Sequence, residues 1–440
     1  MRTSRRTFLG GVSAFAAFAR ALAAAAPDAH TFEPGGGRAA DFLICRRLYL
    51  DICGRLPRPE EVDEFTATRD AKKVESLVDR LLDSDGYADY WSMRLCDILR
   101  VKSEFPINLW PNAVYVYHRR IRAAVVGDEP WDAFARALLA GRGSNFRVPE
   151  SNFLRAAARR TPEGLSEAIS RTFLLEATED HARYFSRVAW KSTREWKEEI
   201  VYLKQGPADA VPEAFMEVLE GPRRAEFHAA PVKRVHWWLF DSLPKSDRLR
   251  EWTRVFERGG LRLKPLLRHV FTSREYLAGP IRGGFPARRL DAEVLDDAIC
   301  DLTGATRSFQ SIAPEPFSYL PPTRRTILVE DGSISSAFLL LFGRPARDTG
   351  ALEERNNEIT AKQRLYLFNS GELWNRLGAL VADRTFAKLS RTAQIDNLFR
   401  RFLSRPPVKQ EIFLLDRRNP LPIREIAWHL VNSQEFLYRI

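Results

Sequence analysis

Residues 74–82 read VESLVDRLL, and the same pattern returns in residues 263–271 (LKPLLRHVF) and 423–431 (IREIAWHLV). In each stretch the apolar side chains recur at positions i, i+3, i+4, i+7 and i+8. This spacing places them on one face of an α-helix, and that face is expected to pack against other parts of the chain. A serine follows each stretch and an aromatic residue stands three positions later, at Ser84 and Tyr87, Ser273 and Tyr276, and Ser433 and Phe436.

A proline turn precedes each of the three stretches, at Gly54–Pro57, Ser242–Pro244 and Ser404–Pro407. In the first and third copies acidic residues follow the proline, which is typical of a helix N-terminus. The unit is therefore a helix, a turn, a second helix, a loop, an amphipathic helix, a serine and an aromatic residue, and its role is architectural. The sequence predicts a mainly α, multi-helical fold of repeated helical hairpins, with a few short strands such as Glu199–Leu203 and Thr326–Glu330.

The first 26 residues have the features of an export signal. Ser4-Arg5-Arg6-Thr7-Phe8-Leu9 precedes a mildly apolar run that ends in Ala23–Ala26. We therefore expect a twin-arginine signal peptide at 1–26 and a flexible tether at 27–39. A general secretory signal and a membrane anchor are the alternatives, although Arg20 lies inside the apolar run. The expected mature chain is periplasmic or otherwise exported, soluble, and without a transmembrane segment.

The charge of the chain argues against a nucleic-acid partner. The formal net charge of the 440 residues is +11, but Arg2, Arg5, Arg6 and Arg20 all lie in the predicted signal peptide. In the remainder, basic and acidic residues are interspersed, as on an ordinary solvated surface. The length suffices for more than one domain. We predict an N-terminal helical domain at 40–205 and a C-terminal one at 206–440.

The four cysteines form no metal or haem motif. Cys45 and Cys53 are two helical turns apart, roughly 12 Å, which is too far for a disulfide. Buried free thiols are expected at all positions, with a disulfide between Cys53 and Cys96 as the alternative. The sequence also has no P-loop, HExxH motif or nucleophile elbow. It predicts neither a metal nor a cofactor.

Several longer motifs resemble a known pair of domains. They are RRLYLDICGRLP at 46–57, LVDRLL at 77–82, FGRP at 342–345, LFNS at 367–370 and NSQEFLY at 432–438. Together they resemble domain of unknown function 1549 followed by domain of unknown function 1553, a pair abundant in exported proteins of planctomycetes and their relatives. Many such proteins also carry a cytochrome c-like domain with a CxxCH motif, which this sequence lacks. The resemblance covers most of residues 40–440. It implies a role in the cell envelope or on polysaccharides, but it implies no particular reaction.

The densest polar pattern lies between Arg344 and Ser370. Its arginines, carboxylates and amides precede a helix that is expected from about Glu358, with Leu365, Phe368, Leu373 and Leu377 facing inward. Such a loop can hold a sulfate, carboxylate or uronate group. Alternatively, the same side chains join two domains by satisfying loop backbone. The candidate ligand-binding residues are Arg344, Arg347, Asp348, Glu354, Arg355, Asn356, Asn357, Gln363 and Asn369.

Two further stretches carry polar patterns. Trp190–Glu199 combines two tryptophans with lysines and glutamates, which favours either a sugar-stacking platform or an ordinary solvated helix. Arg94 and Asp97 are three residues apart and are expected to form an intrahelical ion pair.

These patterns leave the function open between three classes. The first is an exported envelope protein that binds a partner protein or an anionic glycan through the 344–370 surface. The second is a hydrolase of exported, possibly sulfated, polysaccharide that acts through a carboxylate pair. The third is a redox accessory protein that has lost its haem domain. The sequence does not decide whether the protein is an enzyme, and it identifies no catalytic residue.

Overall fold

A computed structural model describes residues 37–279, 285–312, 319–415 and 420–440. The predicted signal peptide and most of the predicted tether lie outside these residues. The described part contains 20 α-helices and only five short strands, which confirms a mainly α fold. None of its helices is both long and apolar enough to cross a lipid bilayer.

The helices of the first half form a series from α1 to α11. They are α1 (Asp41–Cys53), α2 (Pro59–Ala67), α3 (Lys73–Leu82), α4 (Asp85–Ile98), α5 (Pro111–Val126), α6 (Trp131–Ala140), α7 (Pro162–Leu174), α8 (Phe215–Glu220), α9 (Arg224–Phe240), α10 (Ser246–Arg258) and α11 (Leu263–Phe271).

Nine more helices follow in the described part of the second half. They are α12 (Ala292–Thr303), α13 (Ala337–Leu341), α14 (Ala361–Asn369), α15 (Gly371–Ala382), α16 (Arg384–Ala387), α17 (Arg391–Leu403), α18 (Lys409–Leu415), α19 (Ile423–Val431) and α20 (Gln434–Leu437).

The strands form two small antiparallel sheets. The first contains β1 (Gly143–Ser144), β2 (Val188–Ser192) and β3 (Glu199–Leu203), with β3 in the middle. The second pairs β4 (Arg288–Arg289) with β5 (Tyr438–Arg439), near the C-terminus. The strand predicted at Glu199–Leu203 is confirmed.

Two local predictions were wrong. Residues 326–328 form a turn of 3-10 helix because the amides of Thr326 and Ile327 donate to the carboxylate of Asp297 at 2.6 and 3.2 Å, instead of to a neighbouring strand. The solvated helix that was one alternative for Trp190–Glu199 is also wrong, because this stretch is the end of β2, the connecting loop and the start of β3, and the two strands pair along their whole length.

The three repeated stretches are the helices α3, α11 and α19, as predicted. Their stripe residues are buried, apart from the partly buried Leu263 and Ile423. Each following serine accepts a hydrogen bond from the amide of the aromatic residue, at 3.3 Å for Ser84, 3.2 Å for Ser273 and 3.2 Å for Ser433. The aromatic side chains themselves are buried. The serine thus starts a new turn, which is helical after Ser84 and Ser433, and the aromatic ring that follows it lies in the core.

The turns before the repeats also share their geometry. Helices α1, α9 and α17 all end on a residue with left-handed backbone, at Gly54 (φ 59°), Asp241 (φ 54°) and Ser404 (φ 61°). Two of the turns are then closed by a two-pronged ion pair. Arg55 donates to Glu61 at 2.8 and 2.7 Å, and Arg405 donates to Glu411 at 2.8 and 2.9 Å.

Helix α1 joins the three copies of the unit. Buried Arg46 donates to the carbonyls of Phe402 and Phe436 in the third copy, at 2.9 and 3.2 Å. Neighbouring Arg47 donates to the carbonyls of Tyr276 and Ala278 beside the second copy, both at 2.8 Å. Because one helix of the first copy satisfies backbone of the other two, the three copies form one assembly.

A single hydrophobic core runs from Ala39 to Phe436 and crosses the boundary predicted at 205–206. All four cysteines are free and buried, as expected. Burial raises the pKa of the Cys45 and Cys96 thiols to about 12.

Candidate functional site

The polar segment after α13 folds tightly against helices α4 and α12. Its first turn requires Gly343 for two reasons. The φ of Gly343 is 81°, and a β-carbon added to this residue would stand 1.8 Å from the carbonyl oxygen of Asn356. Only glycine fits such an approach. The turn brings Arg344 and Arg347 inward.

Arg344 and Arg347 are both buried. Arg344 donates to the Ile334 carbonyl and lies with its Nε 3.4 Å from an oxygen of Glu293. Arg347 donates from Nε to Asp97 at 2.9 Å and from Nη1 to the carbonyl of Glu330 at 2.6 Å. Both guanidinium groups therefore bind protein atoms in the interior.

Arg355 links two carboxylates from different helices. It donates to Asp97 of α4 at 3.1 and 2.7 Å and to Glu293 of α12 at 2.7 and 3.0 Å. Although burial opposes ionisation, the charge of Arg355 lowers the pKa of Glu293. Two N–H groups of Arg355, one to each oxygen, thus stabilise the charged form of the Glu293 carboxylate.

A second buried carboxylate, Asp291, lies just before α12. Arg94 and the Tyr90 hydroxyl both donate to it, the hydroxyl at 2.8 Å, and Asn357 donates to its other oxygen at 2.9 Å. Burial opposes ionisation of Asp291, but Arg94 and Arg355 outweigh it and lower the pKa. The predicted Arg94–Asp97 pair was wrong, because Arg94 binds Asp291 while Asp97 binds the arginines of the later segment.

The other candidate residues have mostly local roles. Glu354 accepts from the amides of Asp348, Thr349 and Gly350 at 2.7, 3.1 and 3.2 Å, and closes the loop. The carboxylate of Asp348 accepts from Lys102 at 2.6 Å. Gln363 is buried, and it forms a capping box with Thr360 and donates to the Leu341 carbonyl at 2.8 Å. Asn356 and Asn369 are exposed.

The helix expected from about Glu358 begins at Ala361, and only part of its predicted inner face is correct. Leu373 and Leu377 are buried on α15. Leu365 and Phe368 were wrongly placed inward, since they are 59% and 39% exposed on α14. Helix α14 packs through Leu367 instead.

The outer side of α14 borders a groove of about 300 Å³. Its apolar lining includes Phe342, Ile359, Leu367, Phe368 and Leu437. Polar side chains also line it, among them Arg364, Gln434 and Tyr438. The volume is at the lower end of the range for ligand pockets.

Comparison with known proteins gives two family matches. Residues 28–193 match the family described as protein of unknown function (DUF1549), and residues 281–417 match protein of unknown function (DUF1553). The chain therefore contains a DUF1549 region followed by a DUF1553 region. No curated protein and no solved structure matches it.

The buried ion pairs connect the two family regions. Asp97 belongs to the DUF1549 region, and its partners Arg347 and Arg355 belong to the DUF1553 region. Joining two regions of the chain is the alternative role that the sequence left open for the 344–370 segment. Ligand binding by the candidate residues stays a prediction.

Sequence reasoning missed the acidic half of this network, Asp291 and Glu293, and the neighbouring arginines Arg288 and Arg289. The available signal was the run RRLDAEV at 288–294, in which charged residues alternate with apolar ones just before a buried helix. Among the described residues, no three His, Cys, Asp or Glu side chains are grouped so as to hold a metal ion.

Proposed function

We propose that this DUF1549–DUF1553 protein is an exported, non-catalytic binding protein of the cell envelope, and that it docks an apolar segment of a partner protein in the groove beside α14. The observation that supports it is the exposed apolar rim of that groove. Ile359 is 41% exposed and Phe368 is 39% exposed. Both side chains border an apolar floor formed by Phe342, Leu367 and Leu437.

The chemistry of the groove favours a peptide over a glycan. Sugar recognition needs several free hydrogen-bonding groups, but two polar groups of the lining are occupied. Arg289 donates to four backbone carbonyls, and the Gln363 amide binds within α14 and to Leu341. Arg364 is exposed, and its guanidinium has no hydrogen-bond partner among the described residues. An apolar segment with a nearby carboxylate would use both the floor and Arg364.

Asp291 and Glu293 do not suit the acid role that the rival hydrolase requires. A glycosidase of the usual kind needs one carboxyl group that can hold a proton. Asp291 and Glu293 instead have their pKa values lowered by arginines, despite burial. They accept hydrogen bonds in the protein interior, which is a structural task.

The test is cross-linking in the organism that makes the protein. A photoreactive benzoylphenylalanine replaces Phe368, where it keeps an aromatic ring in the groove. We expect one defined protein to be cross-linked. Adding Ile359→Asp to the same chain should reduce the yield of the cross-linked product by about tenfold, since a loss of roughly 1.4 kcal/mol of binding free energy has that effect.

Leu389→Asp is the matched control, because Leu389 is 40% exposed and lies outside the groove. Equal cross-linking by the Ile359→Asp and Leu389→Asp proteins would contradict the docking site. Binding to a sulfated or uronate polysaccharide that is lost in Arg364→Gln but kept in Ile359→Asp would assign the groove to an anionic glycan instead.

A further inference from the structure

A small cavity lies among the buried charges where α1, α4, β4 and β5 meet. Its volume is about 20 Å³, and every residue that lines it is buried. The charged residues of the lining are Asp51, Arg94, Arg288, Arg289, Asp291 and Arg439. A space of this size holds one water-sized particle.

The lining carries more positive than negative charge. Asp291 accepts from Arg94, and Asp51 accepts from Arg439 at 2.6 Å, so these four charges balance in pairs. The remaining two charges are those of Arg288 and Arg289. Their hydrogen bonds go to backbone carbonyls, and Arg288 lies 3.7 Å from the nearest oxygen of Asp291. Uncompensated charge in a protein interior is costly.

Three arginines of the lining also have an unused donor. Arg94 at Nη1, Arg288 at Nε and Arg439 at Nε are buried and form no hydrogen bond with the part of the chain that the structure describes. The nearest carboxylate to the Arg288 Nε is that of Asp241, at 3.8 Å. Buried guanidinium donors normally find an acceptor.

We propose that this cavity binds a single halide ion, chloride under physiological conditions, held by Arg94, Arg288 and Arg439. A monatomic anion fits the space, whereas sulfate and phosphate do not. It supplies the acceptor that the three donors need and offsets part of the excess positive charge. The site is separate from the groove beside α14, and its role is to hold β4 and the C-terminal β5 against α4.

The protonation of Arg288 agrees with this assignment. Burial, with help from the charges of Arg94 and Arg439, lowers the pKa of Arg288 to about 10, although the charge of Asp291 opposes this shift. An anion beside the guanidinium favours its charged form and opposes that shift.

The direct test is crystallography with bromide in place of chloride. Diffraction recorded at the bromine absorption edge is expected to give an anomalous peak between the guanidinium groups of Arg94, Arg288 and Arg439 in the unaltered protein. Electron density without an anomalous signal there would show water and would overturn the proposal.

Thermal unfolding gives an independent test in solution. At equal ionic strength, sodium chloride is expected to raise Tm by roughly 1–3 °C relative to sodium gluconate, whose anion is too large for the cavity. Arg288→Met should abolish that difference. Arg234→Met is the matched control, since Arg234 is a buried arginine with unused donors that does not line the cavity.

The control variant should keep the chloride effect on Tm. Equal Tm values of the unaltered protein in the two salts, or loss of the effect in both variants, would contradict the site. The bromide experiment needs no variant, so the proposal stays testable if Arg288→Met does not fold.

Discussion

Arg355 donates two hydrogen bonds, of 3.1 and 2.7 Å, to one carboxylate oxygen of Asp97, a residue 258 positions earlier in the chain. Both side chains are buried. The contact joins the DUF1549 and DUF1553 regions, since Arg347 and Arg355, which bind Asp97, both belong to the DUF1553 region. Since an unpaired buried charge is far more costly than an unpaired surface charge, the two regions are expected to be stable only together.

Loss of Arg355 should therefore destabilise the whole protein. We expect Arg355→Gln to lower the free energy of unfolding by about 3–5 kcal/mol, because Asp97 and Glu293 both lose a partner in the interior. Urea denaturation followed by circular dichroism measures this. Arg364→Gln, at an exposed position, should change it by less than about 0.5 kcal/mol. Equal effects of the two substitutions would contradict a buried network.

The repeated turns allow a comparison of ion-pair burial, in which Arg405 also keeps a second partner, Glu435, at 2.6 and 2.7 Å. The side chains of Arg405 and Glu411 are 9% and 2% exposed, whereas those of Arg55 and Glu61 are 27% and 22% exposed. We expect Glu411→Gln to cost about 2–4 kcal/mol of unfolding free energy and Glu61→Gln about 1 kcal/mol, since solvent screens the second pair. Denaturation of the two single variants checks the order. A larger loss for Glu61→Gln would contradict the assigned burial.

Acid should destabilise the protein through His118 on α5. Burial, with help from the charges of Arg347, Arg324 and Arg122, lowers the pKa of His118 from 6.5 to about 3. The unfolded chain therefore takes up this proton first as the pH falls, and stability is lost from about pH 6.5 downward. We expect His118→Gln to remove about 2 kcal/mol of the loss seen by about pH 4. Parallel stability curves for the two proteins would contradict this.

The repeated helices were predictable because their signals are local. Apolar spacing identifies α3, α11 and α19, and the serine three residues before the aromatic ring is sufficient to place the next turn. The same reasoning failed at Thr326, where the amide binds the distant carboxylate of Asp297. It also failed for Leu365, because helical spacing does not say which face meets the core.

The candidate site was harder to predict for a related reason. A run of arginines, carboxylates and amides has the same composition on a ligand-binding surface and in a buried network. The difference lies in partners such as Asp97 for Arg347, which stands 250 residues away. The groove beside α14 could not be predicted from the sequence either. Its floor is formed by Phe342, Leu367 and Leu437, and no local sequence pattern connects these residues.

Export is a prediction about residues 1–26, outside the described part, and it can be tested without a structure. Joint replacement by Arg5→Lys and Arg6→Lys keeps both positive charges but removes the paired arginines that the twin-arginine route recognises. We expect the full chain to remain in the cytoplasm, as measured by cell fractionation and immunoblotting.

A general secretory signal needs only positive charge before its apolar run, so it would tolerate this double change. Arg20→Lys is the control and should leave export unaltered. Export of the double variant at the normal level would therefore exclude the twin-arginine route, and it would leave the proposed envelope location dependent on the general pathway.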